Sequence, residues 1–346
     1  MKALAVAGGL LAVGGAVAAA VFAGMHAQAS AENATNALVL AERATPAPAR
    51  PTPSAPAKVT PSAPAKVTAS APAPAAATAA PAAATPAPTS STASATTLAG
   101  AASGSVKFRK TATYNGAPVY VPEDCQGAYD VVLHFHGAHP YVRALVEKAD
   151  IHAVVAVFNA GNGAEKYSQA YGAGGTLTSL LRQIDMAAAP LCPGADAHPR
   201  RVALMAWSAG YAAVEKLLTS NEDRERVDAA LLADGLHAGF ANVWKREFAP
   251  NALEAFRTFG ELAKQGKKLF AITHSSIMTD GYASTTECSR LLLKALNVPC
   301  EGELVSGKSG DFSIEGFTGV DAPAHIVQFR QMDTTLLSKL HARWAH

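Results

Sequence analysis

Ser208 is the residue of this chain whose surroundings most clearly predict chemistry. It lies in the pentapeptide Ala206-Trp207-Ser208-Ala209-Gly210, after an apolar run that predicts a β-strand and before an amphipathic pattern that predicts a helix. The pentapeptide fits the pattern G-x-S-x-G with Ala in place of the first Gly, in which a tight strand-to-helix turn lifts a serine hydroxyl clear of a sheet. The helix N-terminus beneath the serine favours developing negative charge. The pattern predicts a nucleophilic serine; the alternative is a serine in an ordinary turn of a parallel sheet.

Other polar residues with chemical potential follow predicted strands elsewhere in residues 105–346. Together with Ser208, the predicted strand ends carry His136, Asn159, Asp234 and His274. The strands are nearly continuous apolar runs that alternate with helical patterns, which predicts an α/β fold with a mostly parallel, doubly wound sheet. Because ligand groups gather at the carboxyl ends of such strands, we expect these side chains to lie along one edge of the sheet.

The first 29 residues read as a targeting segment. An apolar run at 3–25 follows Lys2, and Ala27-Gln28-Ala29 has the small-residue spacing of a signal-peptide cleavage site. The run is also long enough for an uncleaved membrane anchor, so both readings stay open. Either reading predicts a protein that is secreted, periplasmic or held in the cell envelope.

Residues 30–104 consist mainly of Ala, Pro, Thr and Ser and include the octapeptide TPSAPAKV twice in tandem, at 52–59 and 60–67. Such a composition buries too little apolar surface to offset the entropy of ordering, so we expect a disordered linker. The remaining residues, 105–346, have the length of one α/β domain.

The charge of this domain limits its binding partners, and its cysteines indicate possible disulfides. The formal net charge is +2 and the chain has no cluster of Lys and Arg, which excludes the basic patch of a nucleic-acid-binding protein. The export signal places four cysteines in an oxidising compartment, where they allow three disulfide pairings. We prefer Cys125 with Cys192 and Cys288 with Cys300, and none has the C-x-x-C spacing of a zinc or redox site.

The motifs together resemble those of the α/β-hydrolase superfamily, over most of residues 105–346. The resemblance lies in the serine pentapeptide AWSAG, the upstream strand and turn VVLHFHGA, and a late histidine in APAHIVQF. Nucleophile, acid and histidine also follow one another in the superfamily's chain order. The chain looks like a poorly characterised secreted branch of that superfamily.

The resemblance implies a serine hydrolase that cleaves an ester or an amide of a small molecule or of the envelope through an acyl-enzyme, without a cofactor. Ser208 would attack the acyl carbonyl and His325 would act as general base and acid. Backbone N–H groups of Ala209 and of the Gly137-Ala138 turn would form the oxyanion hole. Trp207, His136 and Asn159 would contact the substrate.

Two aspartates compete for the acidic position. Asp280 lies in the loop after the predicted strand 268–273, the position that most relatives use. Asp234 directly follows the strand after the serine turn, and four apolar residues precede it. We prefer Asp234, because a carboxylate delivered from a buried strand needs a charged partner, whereas Asp280 before Gly281 is easily explained as a turn residue.

Two other functions remain possible from the sequence. The segment His134-Phe135-His136-Gly137-Ala138-His139 has the H-x-H-x-x-H spacing of metallo-hydrolases, and His237, His274 and Asp234 are available to complete a metal site. Ala138, however, stands where the metallo-hydrolase motif carries an aspartate. The other alternative is a catalytically inactive binding module, since a fold alone does not establish activity.

Overall fold

The computed structural model describes residues 105–194 and 196–345. The signal peptide or anchor predicted at 1–29 and the linker predicted at 30–104 lie outside these residues. Across the described ranges, no helix combines the length and the apolar character needed to span a bilayer.

The described chain alternates strands with helices. The strands are β1 Phe108–Ala112, β2 Pro118–Pro122, β3 Tyr129–Phe135, β4 Ala153–Phe158, β5 Pro199–Trp207, β6 Val227–Ala233, β7 Phe240–Asn242, β8 Glu247–Phe248, β9 Leu269–His274, β10 Gly307–Ser309 and β11 Phe312–Gly316. The α-helices are α1 His139–Lys148, α2 Ala164–Tyr171, α3 Thr176–Ala188, α4 Tyr211–Thr219, α5 Asn221–Arg226, α6 Glu254–Lys264, α7 Thr285–Ala295, α8 Ala322–Arg330 and α9 Ser338–Trp344. Short 3₁₀ turns occupy Ala189–Leu191 and Ser208–Gly210, and a π-helical turn occupies Asp333–Leu337.

Nine of the strands form one sheet in the order β1-β2-β4-β3-β5-β6-β9-β11-β10. The six strands from β4 to β11 pair in parallel, and the antiparallel pairs lie at the two ends of the sheet. β7 and β8 form a separate two-stranded ribbon. The predicted α/β fold with a mostly parallel sheet is therefore confirmed.

The central strands are largely apolar and mostly buried because both faces of the sheet are covered. Along β3, Leu133 packs into one core layer, and its neighbour Val132 packs into the other. The register pairs Phe135 of β3 with Phe158 of β4 and with Ala206 of β5. These strands therefore end at nearly the same level, and the residues that follow them meet at one edge of the sheet.

The C-terminal region differs from its predicted elements. The sequence of residues 302–306 predicts a strand, but these residues form a turn closed by a bridge between Glu301 and Ser306, and β10 and β11 follow it as a hairpin. Gly310 turns that hairpin with φ +58°, and a Cβ there would lie 2.3 Å from the Lys264 carbonyl oxygen. The turn thus depends on a glycine that alternation of apolar residues does not reveal. The sequence from about 325 to 344 predicts one last helix, but the π-helical turn Asp333–Leu337 divides this segment.

One predicted disulfide forms and the other does not. Cys125 and Cys192 are bridged, with Cα atoms 4.9 Å apart. The prediction of a bond between Cys288 and Cys300 is wrong, because both are free thiols, Cys288 buried and Cys300 exposed. Cys288 lies inside α7 and its Sγ donates to Ala283 O, whereas Cys300 follows the helix, whose rise of about 1.5 Å per residue carries the chain away from Cys288. Cys288 is thus held in the core and Cys300 at the surface.

Candidate active site

The turn at Ser208 has the tight geometry that its sequence predicts. β5 ends at Trp207, the 3₁₀ turn Ser208–Gly210 follows, and α4 begins at Tyr211. Ser208 has φ +49°, a left-handed conformation that is uncommon for a residue other than glycine and that often occurs at functional sites. A Cβ at Gly210 would lie 2.1 Å from the Phe135 carbonyl oxygen, so only glycine lets α4 pack this closely against the end of β3.

Asp234 follows β6 and is 2% exposed. Its Oδ2 accepts from His325 Nδ1 at 2.7 Å and from Ser275 Oγ at 2.7 Å. Its Oδ1 accepts from the Ser275 backbone N–H at 2.9 Å and from Thr285 Oγ1 at 3.0 Å. Burial raises the pKa of the Asp234 carboxyl, but hydrogen bonds from His325 and Ser275 outweigh burial and hold that pKa below its usual value. The carboxylate is therefore ionised, fixed in orientation and directed at the histidine.

His325 lies in the first turns of α8, whose N-terminus is capped by Asp321 through a 3.0 Å bond from the Ala324 N–H. Trp207 fixes the histidine from the other side. Its indole Nε1–H donates to the His325 carbonyl oxygen at 3.2 Å, and its ring stacks on the imidazole with centroids 4.9 Å apart. Trp207 also stacks on Phe329 at 4.8 Å. The residue before Ser208 is thus packed against the backbone and ring of His325.

The structure brings Asp234 and His325 into direct contact, and the residue after Asp234 packs against the backbone of Ser208. A Cβ at Gly235 would lie 2.6 Å from the Ser208 carbonyl oxygen, so the loop that carries Asp234 touches the serine turn. Among the described residues, Ser208 Oγ forms no hydrogen bond with His325. Asp280, the other candidate acid, is exposed and lies beside Arg246 rather than the histidine.

The turn after β3 holds the expected oxyanion-hole residues. Gly137 has φ +149°, and a Cβ there would lie 2.9 Å from the Phe329 ring. The Gly137 N–H donates to Asn159 Oδ1 at 2.9 Å, and Asn159 Nδ2 donates to the Gly137 carbonyl at 2.9 Å. The Gly137 N–H is therefore occupied within the protein. Ala138 and Ala209 carry the other two N–H groups, each at the start of a helical turn, where backbone donors have no intrahelical partner.

Two histidines of β3 and its following turn are held neutral by burial. Burial lowers the pKa of His134 to about 3, and burial together with the neighbouring His325 lowers the pKa of His136 to about 4. His134 Nε2 bonds to the His136 carbonyl at 2.9 Å, so this nitrogen carries the proton. His136 stacks on Trp207 at 5.2 Å, and its Nδ1 bonds to the Tyr167 hydroxyl at 2.9 Å. His136 thus packs with the aromatic side chains of Trp207 and Tyr167 beside the site.

The histidines of the alternative metal site are not gathered around one point. The ring nitrogens of His134, His136 and His139 bond to separate partners, a carbonyl and two different tyrosines. His274 is buried with Nε2 on the Val305 carbonyl, and His237 Nδ1 bonds to the Ala283 carbonyl. Over residues 105–194 and 196–345, no group of three or more His, Cys, Asp or Glu side chains is arranged to hold a metal ion. The geometry therefore does not fit the metal-dependent alternative.

Several residues that support the site were not found from the sequence. Ser275 and Thr285 supply three of the four donors to Asp234. Ser275 follows the apolar strand β9, one residue after His274, so its place at a strand end was the available signal. Thr285 had none, because it reaches the site only through the packing of α7. The sequence indicates only that Gly235 permits a sharp turn after Asp234, whereas in the structure a Cβ at this position would lie 2.6 Å from the Ser208 carbonyl oxygen.

Comparisons with known proteins give distant structural likenesses. No protein-family model matches the chain, and no curated protein matches it either. A thermostable esterase from Pseudomonas putida ECU1011 is 13% identical, with 70% of this chain and 81% of that one covered and a TM-score of 0.37. A Pyrococcus furiosus esterase is 12% identical, with 69% and 90% covered and a TM-score of 0.34. A CE15 glucuronoyl esterase from Teredinibacter turnerae T7901 is 9% identical, with 71% and 80% covered and a TM-score of 0.38.

Function depends on the site rather than on such likenesses. The described chain combines a mostly parallel sheet, a serine at a strand-to-helix turn, and Ser208, Asp234 and His325 in that chain order. In fold and in the arrangement of these residues, the chain resembles the α/β-hydrolase superfamily.

Proposed function

We propose that this protein is a serine hydrolase that cleaves carboxylic esters with Ser208 as nucleophile, His325 as general base and acid, and Asp234 as the acid that orients the histidine. The observation that carries the proposal is the 2.7 Å bond from His325 Nδ1 to a buried Asp234 carboxylate, beside the left-handed Ser208 turn. Burying a carboxylate is costly unless it is fully hydrogen-bonded. A histidine and a carboxylate arranged in this way beside a serine are suited to nucleophilic catalysis.

The pair sets the direction of proton transfer. Because Asp234 accepts the Nδ1 proton, the neutral His325 ring keeps a lone pair on Nε2, which takes the proton of Ser208 Oγ as the oxygen attacks the carbonyl carbon. Asp234 then stabilises the imidazolium that forms. The serine–histidine hydrogen bond of such enzymes is often long or absent without substrate and tightens when substrate binds.

The remaining steps follow from the same groups. The carbonyl oxygen becomes an alkoxide, which backbone N–H groups stabilise, and His325 protonates the departing alcohol as the carbon–oxygen bond breaks. Ser208 is left acylated. A water molecule then attacks the acyl-enzyme while His325 accepts its proton, which releases the carboxylic acid and restores the serine. An amide would follow the same route with an amine as leaving group.

The predicted export of the chain favours an ester of the extracellular space or the cell envelope as substrate. A series of p-nitrophenyl acyl esters of increasing chain length tests this activity and the size of the acyl site. A fluorophosphonate probe followed by peptide mass spectrometry should place the adduct on Ser208.

Two variants decide the role of the serine. Ser208→Ala should abolish both turnover and labelling with the melting temperature unchanged, because only the attacking oxygen is lost. Ser179→Ala, at an exposed position of α3, is the matched control and should behave as the parent protein. Full activity in Ser208→Ala, or loss of activity on addition of a chelator, would exclude this mechanism.

A further inference from the structure

The side-chain amide of Asn159 bonds to both sides of one backbone residue. Oδ1 accepts the Gly137 N–H and Nδ2 donates to the Gly137 carbonyl, each at 2.9 Å. An amide that both donates and accepts in this way imitates a neighbouring β-strand, and it continues the pairing of β3 with β4 beyond the last paired residues, Phe135 and Phe158. The positive φ of Gly137 is part of this arrangement.

This bond fixes a second peptide group. The Gly137 carbonyl and the Ala138 N–H belong to the same peptide unit, and the chain contains no cis peptide bond among the described residues. In a trans peptide the C=O and N–H bonds point in opposite directions. Because the Gly137 carbonyl points at Asn159, the Ala138 N–H points away from it.

The order of the strands in the sheet shows which strand the Ala138 N–H points toward. β3 lies between β4 and β5 in the sheet. Asn159 follows β4 on one side of the turn, and Ser208 follows β5 on the other. The Ala138 N–H therefore points from the β4 side toward the β5 side, where the serine stands. No acceptor for Ala138 N is found among the described residues.

The preceding peptide is held as well. His134 is completely buried and neutral, and its Nε2–H donates to the His136 carbonyl at 2.9 Å. Because the Gly137 N–H also donates to Asn159, both the carbonyl and the N–H of the peptide unit between residues 136 and 137 have hydrogen-bond partners. The turn is thus fixed before any substrate arrives, as a preorganised oxyanion site requires.

From this geometry we infer that Asn159 is a positioning residue of the oxyanion hole, which aims the Ala138 N–H at the substrate's developing oxyanion. This inference rests on the proposed serine-hydrolase function. It assigns the donor of this turn to Ala138 and not to Gly137, and it gives Asn159 a role other than the direct substrate contact expected from the sequence. The second donor is the Ala209 N–H.

Asn159→Asp tests the inference with almost no change in shape. The carboxylate still accepts the Gly137 N–H but repels the Gly137 carbonyl, so the Ala138 N–H loses its fixed direction. We expect kcat on the best p-nitrophenyl ester to fall about 10²- to 10³-fold, as for the loss of one oxyanion donor, with KM changed less than about threefold. Asn162→Asp makes the same substitution at an exposed position of the same loop and is the matched control.

Ala138→Pro removes the N–H itself. Ala138 has φ −69°, close to the value that a proline ring imposes, so the substitution deletes one donor with little change of backbone. It should reproduce the loss of kcat seen with Asn159→Asp. The double variant should be less than about threefold worse than either single variant, because the two changes remove the same interaction.

Inhibitor binding separates positioning from substrate contact. A trifluoromethyl ketone with the acyl chain of the best ester forms a bond from Ser208 Oγ to its carbonyl carbon, which leaves an alkoxide in the oxyanion hole and the serine proton on His325. Asn159→Asp should weaken this inhibitor by the same factor as kcat/KM and leave product inhibition by the matching carboxylic acid unchanged. Equal weakening of both ligands, unchanged kcat in Asn159→Asp, or additive losses in the double variant would overturn the inference. Activity in Ser208→Ala would instead overturn the function on which it rests.

Discussion

The substitution Asp234→Asn tests the acid of the site through the proton that it controls. Ser275 fixes how the new amide must sit. The Ser275 backbone N–H can only donate, and it bonds to Oδ1 at 2.9 Å, so the amide oxygen must occupy that position. The amide nitrogen then takes the place of Oδ2, which faces His325 at 2.7 Å. The hydroxyl of Ser275 can rotate to accept from this nitrogen, but the histidine must now accept at Nδ1.

This exchange puts the imidazole in the wrong tautomer. A histidine that accepts at Nδ1 carries its proton on Nε2, where it can no longer take the proton of Ser208. The stabilisation of the imidazolium by a negative charge is lost as well. In serine proteases the same exchange lowers kcat by about 10⁴, which corresponds to about 5 kcal/mol of transition-state free energy, and we expect a loss of that size.

The assay is the p-nitrophenyl ester hydrolysis described above, with kcat and KM measured at several pH values. Asp280→Asn is the control, because Asp280 is exposed and has no contact with the histidine; its kcat should stay within a factor of two. Circular dichroism should show that Asp234→Asn remains folded, since the amide keeps the Ser275 and Thr285 contacts of Oδ1. If Asp280→Asn loses activity and Asp234→Asn retains it, the assignment of the acid is wrong.

Three further predictions concern the turn, acid stability and the thiols. Gly235→Ala should lower kcat at least tenfold, because its Cβ would lie 2.6 Å from Ser208 O, whereas Gly239→Ala, with no atom within 4 Å of the new Cβ, should not change the rate. A histidine in the unfolded chain has a pKa near 6.5, whereas burial lowers the pKa to about 4 for His136 and about 3 for His134. Between the unfolded and folded pKa values, the unfolded chain binds more protons than the folded one. Stability is therefore lost as the pH falls through that range. Urea unfolding between pH 5.5 and 4.5 should therefore show a slope smaller by about 1.4 kcal/mol per pH unit in His134→Leu, and an unchanged slope would contradict the burial argument. Without reductant, maleimide should label Cys300 in the native protein and Cys288 only after unfolding, because Cys288 is buried and burial raises its pKa. Cys125 and Cys192 should react only after reduction of their disulfide. Four unreactive cysteines would contradict the structure.

The local features of the site were predictable because short-range patterns set them. An apolar strand followed by Ser208, with the small residues Ala206 and Gly210 two positions away on either side, predicts the turn that the structure contains. The same kind of pattern places Asp234 at a strand end. Alternation of apolar strands with helices predicts the parallel sheet and, through it, the edge at which these side chains meet. The choice of Asp234 over Asp280 also rested on local burial, and the hydrogen bond to His325 agrees with that preference.

Contacts between distant segments could be decided only by the tertiary structure. The sequence cannot show that Ser275 and Thr285 complete the shell of Asp234, or that the indole of Trp207 holds the His325 backbone 118 residues away. It likewise left three disulfide pairings open, and the preferred bond between Cys288 and Cys300 is wrong because one thiol is buried and the other exposed. Asn159 is a further example. Its position at a strand end suggested a substrate contact, whereas in the structure its side-chain amide forms two hydrogen bonds with the backbone of Gly137. Hydrogen-bond partners are set by the relative placement of strands and loops, and that placement comes from the packing of the whole domain.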